Sequence, residues 1–315
     1  MFCARFWIKG IKRNLEAEPI KRACNSLHPK VSCLWSISMN LWLKKHLYHL
    51  AVPFLVRRAR RNNLCFGVSY HRFESVPGAD PKPGMAVTPE LFRKHIEILR
   101  ELGSFISIDD AVSEKRPDGI SFVLSFDDGY RDNLTILLPI LEELNVPCCL
   151  YVTSGLVSGE LAALDHDKQA GFCPPVLNLQ DLGNLASHPL ITIGSHTHHH
   201  VRLSTLNAEE LEAELRASRD WFQKKAELEV KHLAIPFGRR TDVNWPDLFH
   251  AAGRLGFISV ASNCGGHNGK SSTRRPCHFH RSPAPNTEAP DVLTGWIMGL
   301  CNARELFRRT PCLKK

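Results

Sequence analysis

The chain has 315 residues, 43% hydrophobic and 23% charged. This is ordinary globular usage, and it excludes a wholly disordered, collagen-like or coiled-coil chain. Charge is segregated: residues 1–64 hold 13 Lys/Arg against Glu16 and Glu18, a balance of +11, and the last 14 residues carry +4, which leaves −7 on residues 65–301 of a total of +8. A basic nucleic-acid-binding body is not what this pattern describes. The basic arms are instead suited to solvent or to anionic lipid, where a basic residue near the surface contributes about 1 kcal/mol.

The first 64 residues read as a basic arm. Their most apolar stretch, Leu47 to Val56, is half the ~20 residues needed to span a bilayer and contains His49 and Pro53. Its heavier charge, Arg57-Arg58-Ala59-Arg60-Arg61, follows the apolar run, the reverse of an export signal. Leu41–Arg61 can form an interfacial amphipathic segment. Met39 opens the more helix-like stretch, so residues 1–38 read as a mispredicted start. Eleven cysteines without a C-x-x-C pair, two of them adjacent in an apolar run, suit buried thiols in a reducing compartment. The expected location is cytoplasmic, with peripheral contact on the inner face of the membrane through the arm.

From residue 65 short apolar runs alternate with helical stretches. Predicted strands are Cys65–Tyr70, Ile120–Phe126, Cys148–Val152, Ile191–Ser195, His232–Pro236, Phe257–Ser262 and His278–His280. Several are apolar on both faces, as in a buried parallel sheet. Predicted helices are Pro89–Leu102 after Thr88, Leu134–Leu144, Ala208–Lys225 with an Asn207/Glu210 capping box, and Trp245–Leu255 before Gly256. The alternation implies an α/β domain over 65–300, a barrel or doubly wound sheet, followed by a basic tail at 301–315.

Two motifs carry chemistry. Ser125-Phe126-Asp127-Asp128-Gly129-Tyr130 puts two carboxylates where an apolar strand ends. Neighbouring strand side chains point opposite ways, so both acids enter one site only if the chain turns there, which Gly129 permits. About 70 residues on, Gly194-Ser195-His196-Thr197-His198-His199-His200 follows a second strand. In a helical turn His196 and His200 would share a face, close enough to share a metal, with His198 and His199 directed elsewhere. Two His and a carboxylate leave open positions on zinc or another divalent ion, and the spare Asp suits a base for hydrolysis.

These motifs, in this order, resemble the polysaccharide deacetylases with a NodB-type domain, carbohydrate esterase family 4. Tyr70-His71-Arg72 and Ala234-Ile235-Pro236-Phe237-Gly238 add to the likeness, which spans roughly residues 65–285. The resemblance implies a distorted (β/α) barrel of the NodB type and a metal-dependent hydrolase that removes the N-acetyl group of an amino sugar. It implies Asp127 as general base, Asp128, His196 and His200 as ligands of zinc (or cobalt, nickel or iron), and Thr197 as the hydroxyl that orients the loop. The Phe237 N–H, within Pro236–Gly238, becomes an oxyanion donor, and His71 and Tyr130 become pocket residues. Where many relatives carry an Arg two residues before that Pro, this chain has Ala234, with Arg239 and Arg240 as possible substitutes. Where many carry a Leu-x-His strand, it reads Cys277-His278-Phe279-His280, which makes His280 the expected general acid. The implied partner is an N-acetylated carbohydrate, either a polysaccharide or a lipid- or nucleotide-linked glycan precursor. A non-sugar amide hydrolase on the same fold and a non-catalytic carbohydrate-binding relative are the alternatives.

Overall fold

The structure, a computed structural model, describes residues 41–75, 78–82, 84–113, 116–269 and 276–300, with residues 41–48 described as backbone only. The chain divides into residues 1–47 and 48–315, and the architecture below is that of the second unit. Residues 1–40 and 301–315, which contain most of the expected arm and tail, lie outside the described residues. Strands of the barrel and helices of seven residues or more are numbered in chain order.

Helix α1 (Leu41–Arg61) buries Val52 and Ala59 and leads into β1 (Cys65–Tyr70). The barrel then continues with β2 (Ser121–Asp128), β3 (Cys148–Val152), β4 (Ile191–Ser195), β5 (His232–Ala234), β6 (Ser259–Ser262) and β7 (Cys277–Pro283). Each strand pairs in parallel with its sequence neighbour, and β7 returns to β1 with Gly67 opposite Arg281, closing a seven-stranded parallel barrel. The barrel expectation is thereby realised. Two strands run longer than the sequence pattern suggested: β2 continues through both aspartates, and β7 continues through Arg281 to Pro283.

Helices α2 (Pro89–Leu102), α3 (Leu138–Leu144), α4 (Leu179–Ala186), α5 (Ala208–Lys225), α6 (Trp245–Arg254) and α7 (Pro290–Ile297) cover the outer face. Thr88 accepts the Leu91 N–H to cap α2, which buries Phe92, Ile96 and Leu99. The Asn207/Glu210 capping box opens α5. The single helix expected over Leu134–Leu144 is instead a π turn, Asn133–Leu137, followed by α3. Pro139 has no N–H for the carbonyl four residues back, so a wider turn precedes it.

The barrel interior alternates large and small residues. Phe279 pairs with Ala261, which pairs with Ala234. Tyr151 pairs with Gly194, where a Cβ would lie 2.6 Å from the Tyr151 ring. Gly67 faces Arg281, and a Cβ there would lie 2.7 Å from Arg281 Cγ and from the His280 carbonyl oxygen. At the N-terminal end of β5, buried His232 bridges Asp109 Oδ1 (3.1 Å) and Ser259 Oγ (2.8 Å). Among the described residues no disulfide is present, and Cys148 and Cys149 are buried thiols.

Gly67→Ala should therefore cost about 1–3 kcal/mol, the usual penalty of overpacking a tight core. Urea unfolding followed by circular dichroism checks this, and an unchanged midpoint would mean that the Arg281 stem can move aside.

Candidate active site

Asp127 and Asp128 end β2 and are each 1% exposed. Ser125 and Asp127 share the inward face, since both contact Arg281. Asp128 would ordinarily point outward. It turns back because its own φ is +79°, followed by Gly129 at +99°. The turn expected at Gly129 thus begins one residue earlier, in a conformation that ordinary side chains rarely adopt.

Arg281 grips Asp127 with both ends of its guanidinium, Nη1 donating to Oδ1 at 2.6 Å and Nη2 to Oδ2 at 2.8 Å. Nη1 also donates to Ser125 Oγ at 2.8 Å, and the guanidinium lies 4.9 Å from the centre of the Tyr151 ring. Burial alone would raise the Asp127 carboxyl. The Arg281 charge, followed by His196, outweighs that and holds it below the usual carboxylate range.

Asp128 has no protein donor: both carboxylate oxygens are buried without a hydrogen-bond partner. Its Oδ1 lies 3.3 Å from His200 Nε2 and 3.5 Å from His196 Nε2. Burial opposes the charge, but these imidazoles, led by His200, and His71 hold the carboxyl well below its usual range. His196 Nδ1 lies 3.0 Å from the Ala234 carbonyl oxygen. A carbonyl can only accept, so Nδ1 carries the hydrogen and Nε2 presents a lone pair to Asp128. Burial lowers His196 to about 4, which keeps this imidazole neutral.

The His loop is not the helical turn expected from its spacing. Residues 196–200 form an irregular bend, with positive φ at Thr197 (+67°) and His200 (+54°). Thr197 Oγ1 accepts the His200 N–H at 3.2 Å, and Ser195 Oγ accepts the Thr197 N–H at 3.1 Å. Hydroxyls rather than a helix bring the two imidazoles to 5.0 Å, ring centre to ring centre. Asp128, His196 and His200 together offer one carboxylate and two imidazole nitrogens within 4.8 Å of one another. An orphaned buried carboxylate facing two convergent nitrogens fits a divalent ion of the zinc type.

Pro236, Phe237 and Gly238 form a tight turn in which Gly238 N–H donates to the Pro236 carbonyl at 2.7 Å and Phe237 has φ +63°. The Phe237 ring is 40% exposed, 5.2 Å from the His200 ring, with the Arg202 guanidinium 4.3 Å from its centre. His71 directly follows β1, and its main-chain carbonyl accepts from Asn133 Nδ2 at 3.3 Å. Tyr130 is 1% exposed, and its hydroxyl is engaged, donating to Asp167 Oδ2 (2.8 Å) and accepting from Arg72 Nη1 (2.9 Å). It belongs to a buried network under the site rather than to an open pocket wall.

His280 is not brought to this cluster. Strand alternation turns Phe279 and Arg281 into the barrel, so His280 faces outward, its ring 4.1 Å from that of His278, which packs on Trp245. The general-acid expectation for His280 has this geometry against it. Arg239 and Arg240 do not hold Asp127 either, for both ends of its carboxylate are taken by Arg281. Sequence reasoning misses Arg281, one residue beyond His280, because the strand's inward phase is set by its pairing with Gly67 on β1. It also misses His166, whose ring is 5.8 Å from His200 and whose Nε2 is 3.1 Å from the Tyr130 hydroxyl.

Residues 114–254 match the family model described as polysaccharide deacetylase, a segment that contains Asp127, Asp128, His196, His200 and Pro236–Gly238. The matched segment is thus a domain of the polysaccharide deacetylase kind, whose class is the hydrolases of carbon–nitrogen amide bonds. The fold is shared with the Streptococcus pyogenes deacetylase PplD, solved in complex with acetate, at 19% identity and TM-score 0.60 over 74% of this chain and 98% of that one. It is shared with IcaB from Ammonifex degensii at 17% identity and TM-score 0.59 over 75% and 97%, and with the BpsB deacetylase domain from Bordetella bronchiseptica at 17% identity and TM-score 0.53 over 70% and 95%. No curated protein matches the sequence.

Replacing Arg281 by Met would leave a buried carboxylate without its partner, a loss of about 3–5 kcal/mol in unfolding experiments. Because the folded Asp127 carboxyl is held low, the stability from this pair is present above the unfolded carboxylate pKa and lost as pH falls through the folded value. In the variant, unopposed burial should raise Asp127 and move the acid limb of the pH–rate profile to higher pH. An acid limb in the wild-type position would show that Arg281 does not set the ionisation of Asp127.

Proposed function

We propose that the protein is a metal-dependent deacetylase that hydrolyses the N-acetyl group of an amino sugar to free amine and acetate. The observation that carries this reading is Asp128: a buried carboxylate, both oxygens without partners, facing two imidazole nitrogens at 3.3 and 3.5 Å beside a second carboxylate held ionised by Arg281. A divalent cation held by Asp128, His196 and His200, zinc or one of cobalt, nickel and iron, would polarise the amide carbonyl and make water nucleophilic near neutral pH.

The remaining work falls to the chain. Asp127, ionised and fixed in orientation by Arg281, takes a proton from the attacking water. The Phe237 N–H, presented from its strained turn, donates to the oxyanion; losing one such donor typically costs about 2.7–4 kcal/mol. The proton taken up by Asp127 is then available to the leaving amine, so the step balances without a second titratable group. The exposed Phe237 ring offers an apolar face to a sugar, and the N-acetylated carbohydrate class follows from the matched family.

A lipid-linked glycan precursor is favoured over finished polymer by the surface of α1. Leu50 and Phe54, four residues apart, are 73% and 82% exposed, and Arg57, Arg58, Arg60 and Arg61 are exposed beyond them. Exposed apolar groups beside a basic cluster suit peripheral contact with an anionic membrane. Among the described residues no helix is long and apolar enough to cross a membrane.

Asp127→Asn should abolish acetate release from N-acetylglucosamine oligomers or lipid-linked N-acetylhexosamine while bound zinc is retained, whereas Asp128→Ala should lose both. Wild-type turnover in Asp127→Asn would overturn the base assignment. Full-length protein should sediment with vesicles containing phosphatidylserine more than protein lacking residues 1–64 does. Equal sedimentation would remove the membrane role of the arm.

A further inference from the structure

The His loop sends side chains to two sides. His196 and His200 turn toward Asp128, while His198 and His199 turn toward Glu160, in the loop after the short helix Ser154–Val157. Glu160 Oε2 is 2.9 Å from His198 Nε2, and Glu160 Oε1 is 3.2 Å from His199 Nε2. One ligand atom from each of the three lies within 4.8 Å of the other two. For metal–nitrogen and metal–oxygen bonds of about 2.0–2.1 Å, the edge of a tetrahedron is roughly 3.3 Å. The spacing of this second cluster is therefore close to that of a coordination shell.

The far side of each imidazole points the same way. Glu214 is anchored by accepting the main-chain N–H groups of His198 (2.9 Å) and His199 (2.6 Å) on Oε1, and its Oε2 lies 2.6 Å from His199 Nδ1. Glu214 thereby fixes the ring through Nδ1 and leaves His199 Nε2 directed at Glu160. His198 Nδ1 lies 2.7 Å from Ser154 Oγ, which belongs to a buried hydroxyl chain through Ser218 to Ser195. His198 likewise directs Nε2 at Glu160. His199 thus stands between two carboxylates, Glu214 at Nδ1 and Glu160 at Nε2, the carboxylate–imidazole arrangement that orients metal-bound histidines.

We propose that Glu160, His198 and His199 bind a second divalent cation of the zinc class, distinct from the ion expected at Asp128. The donor set of two imidazoles and one carboxylate selects zinc-like ions over calcium or magnesium. His198 is buried, whereas His199 and Glu160 are open to solvent, so the ion has an entry path and room for water as a further ligand. The cation would clamp the Glu160 loop to the back of the catalytic His loop. The two segments already meet there through the backbone: Ser154 N–H donates to the Thr197 carbonyl and Gly155 N–H to that of His198. A Cβ at Gly155 would lie 2.4 Å from the same His198 oxygen, so the approach requires glycine.

The test uses full-length protein without a histidine tag, stripped with chelator, equilibrated with Zn2+ and assayed for zinc per chain. Wild type should hold two equivalents. Glu160→Ala and His199→Ala should each hold one, Asp128→Ala one, and Glu160→Ala/Asp128→Ala none, with unchanged circular dichroism. A single equivalent that survives in Glu160→Ala but not in Asp128→Ala would overturn the proposal and leave the deacetylase reading intact. A single equivalent lost in Glu160→Ala but retained in Asp128→Ala would support it while overturning the catalytic metal. Anomalous diffraction at the zinc edge from wild-type crystals gives a measurement independent of any variant: a peak between Glu160 and His198 is expected, and its absence at saturating zinc overturns the site.

Discussion

A guanidinium and a carboxylate sealed inside an apolar barrel set the terms for the rest of this molecule. Arg281 and Asp127 are each 1% exposed, so neither regains solvation from water. Their burial is tolerable because the pairing is bidentate and Ser125 accepts a further N–H. The pair constrains its neighbours by volume as well as by charge. An arginine stem entering from β7 leaves no room for a Cβ at Gly67, and the Tyr151 ring beneath its guanidinium leaves none at Gly194. Ala234, where many deacetylases carry the arginine that orients the base, is fully buried and small. Here a guanidinium reaches Asp127 from β7, and the barrel's small residues are distributed to suit that route.

Local strain is concentrated at the same end. Of the seven non-glycine residues with positive φ among the described residues, four are Asp128, Thr197, His200 and Phe237. Such conformations cost of order 1–3 kcal/mol each and persist where surrounding contacts impose them. Here each does geometric work. The turn at Asp128 lets two consecutive strand residues face one site. Those at Thr197 and His200 curl five residues so that imidazoles four apart converge. The turn at Phe237 lifts a ring to the rim beside His200.

Much of this was legible from sequence, for identifiable reasons. Buried parallel strands are short apolar runs, so the barrel strands were found to within a few residues, and a capping box marks the start of α5 without tertiary help. Asp127, Asp128, His196 and His200 sit on strand ends in motifs whose spacing alone suggests a metal site. What failed depended on long-range packing. Whether His280 or Arg281 faces inward is a matter of strand phase, and His278-Phe279-His280-Arg281 reads plausibly either way until Gly67 is seen opposite Arg281. Tyr130 looks like a pocket residue from its place after the aspartates. Its hydroxyl is instead engaged by Arg72 and Asp167, 58 and 37 residues away in sequence, which no local pattern reveals.

The formal charges around the site also bear on why the two aspartates differ. Arg281 completes Asp127 with a permanent charge, whereas Asp128 is buried with both oxygens lacking a hydrogen-bond partner and faces imidazoles alone. Burying such a charge is costly unless a cation accompanies it. Proton uptake by Asp128 would relieve the cost, whereas a divalent ion would relieve it and also use the lone pair that the Ala234 carbonyl leaves on His196 Nε2. The adjacent carboxylates thus follow different physical rules: one is completed by a residue of the chain, and the other is left incomplete in the geometry that a metal ion would fill.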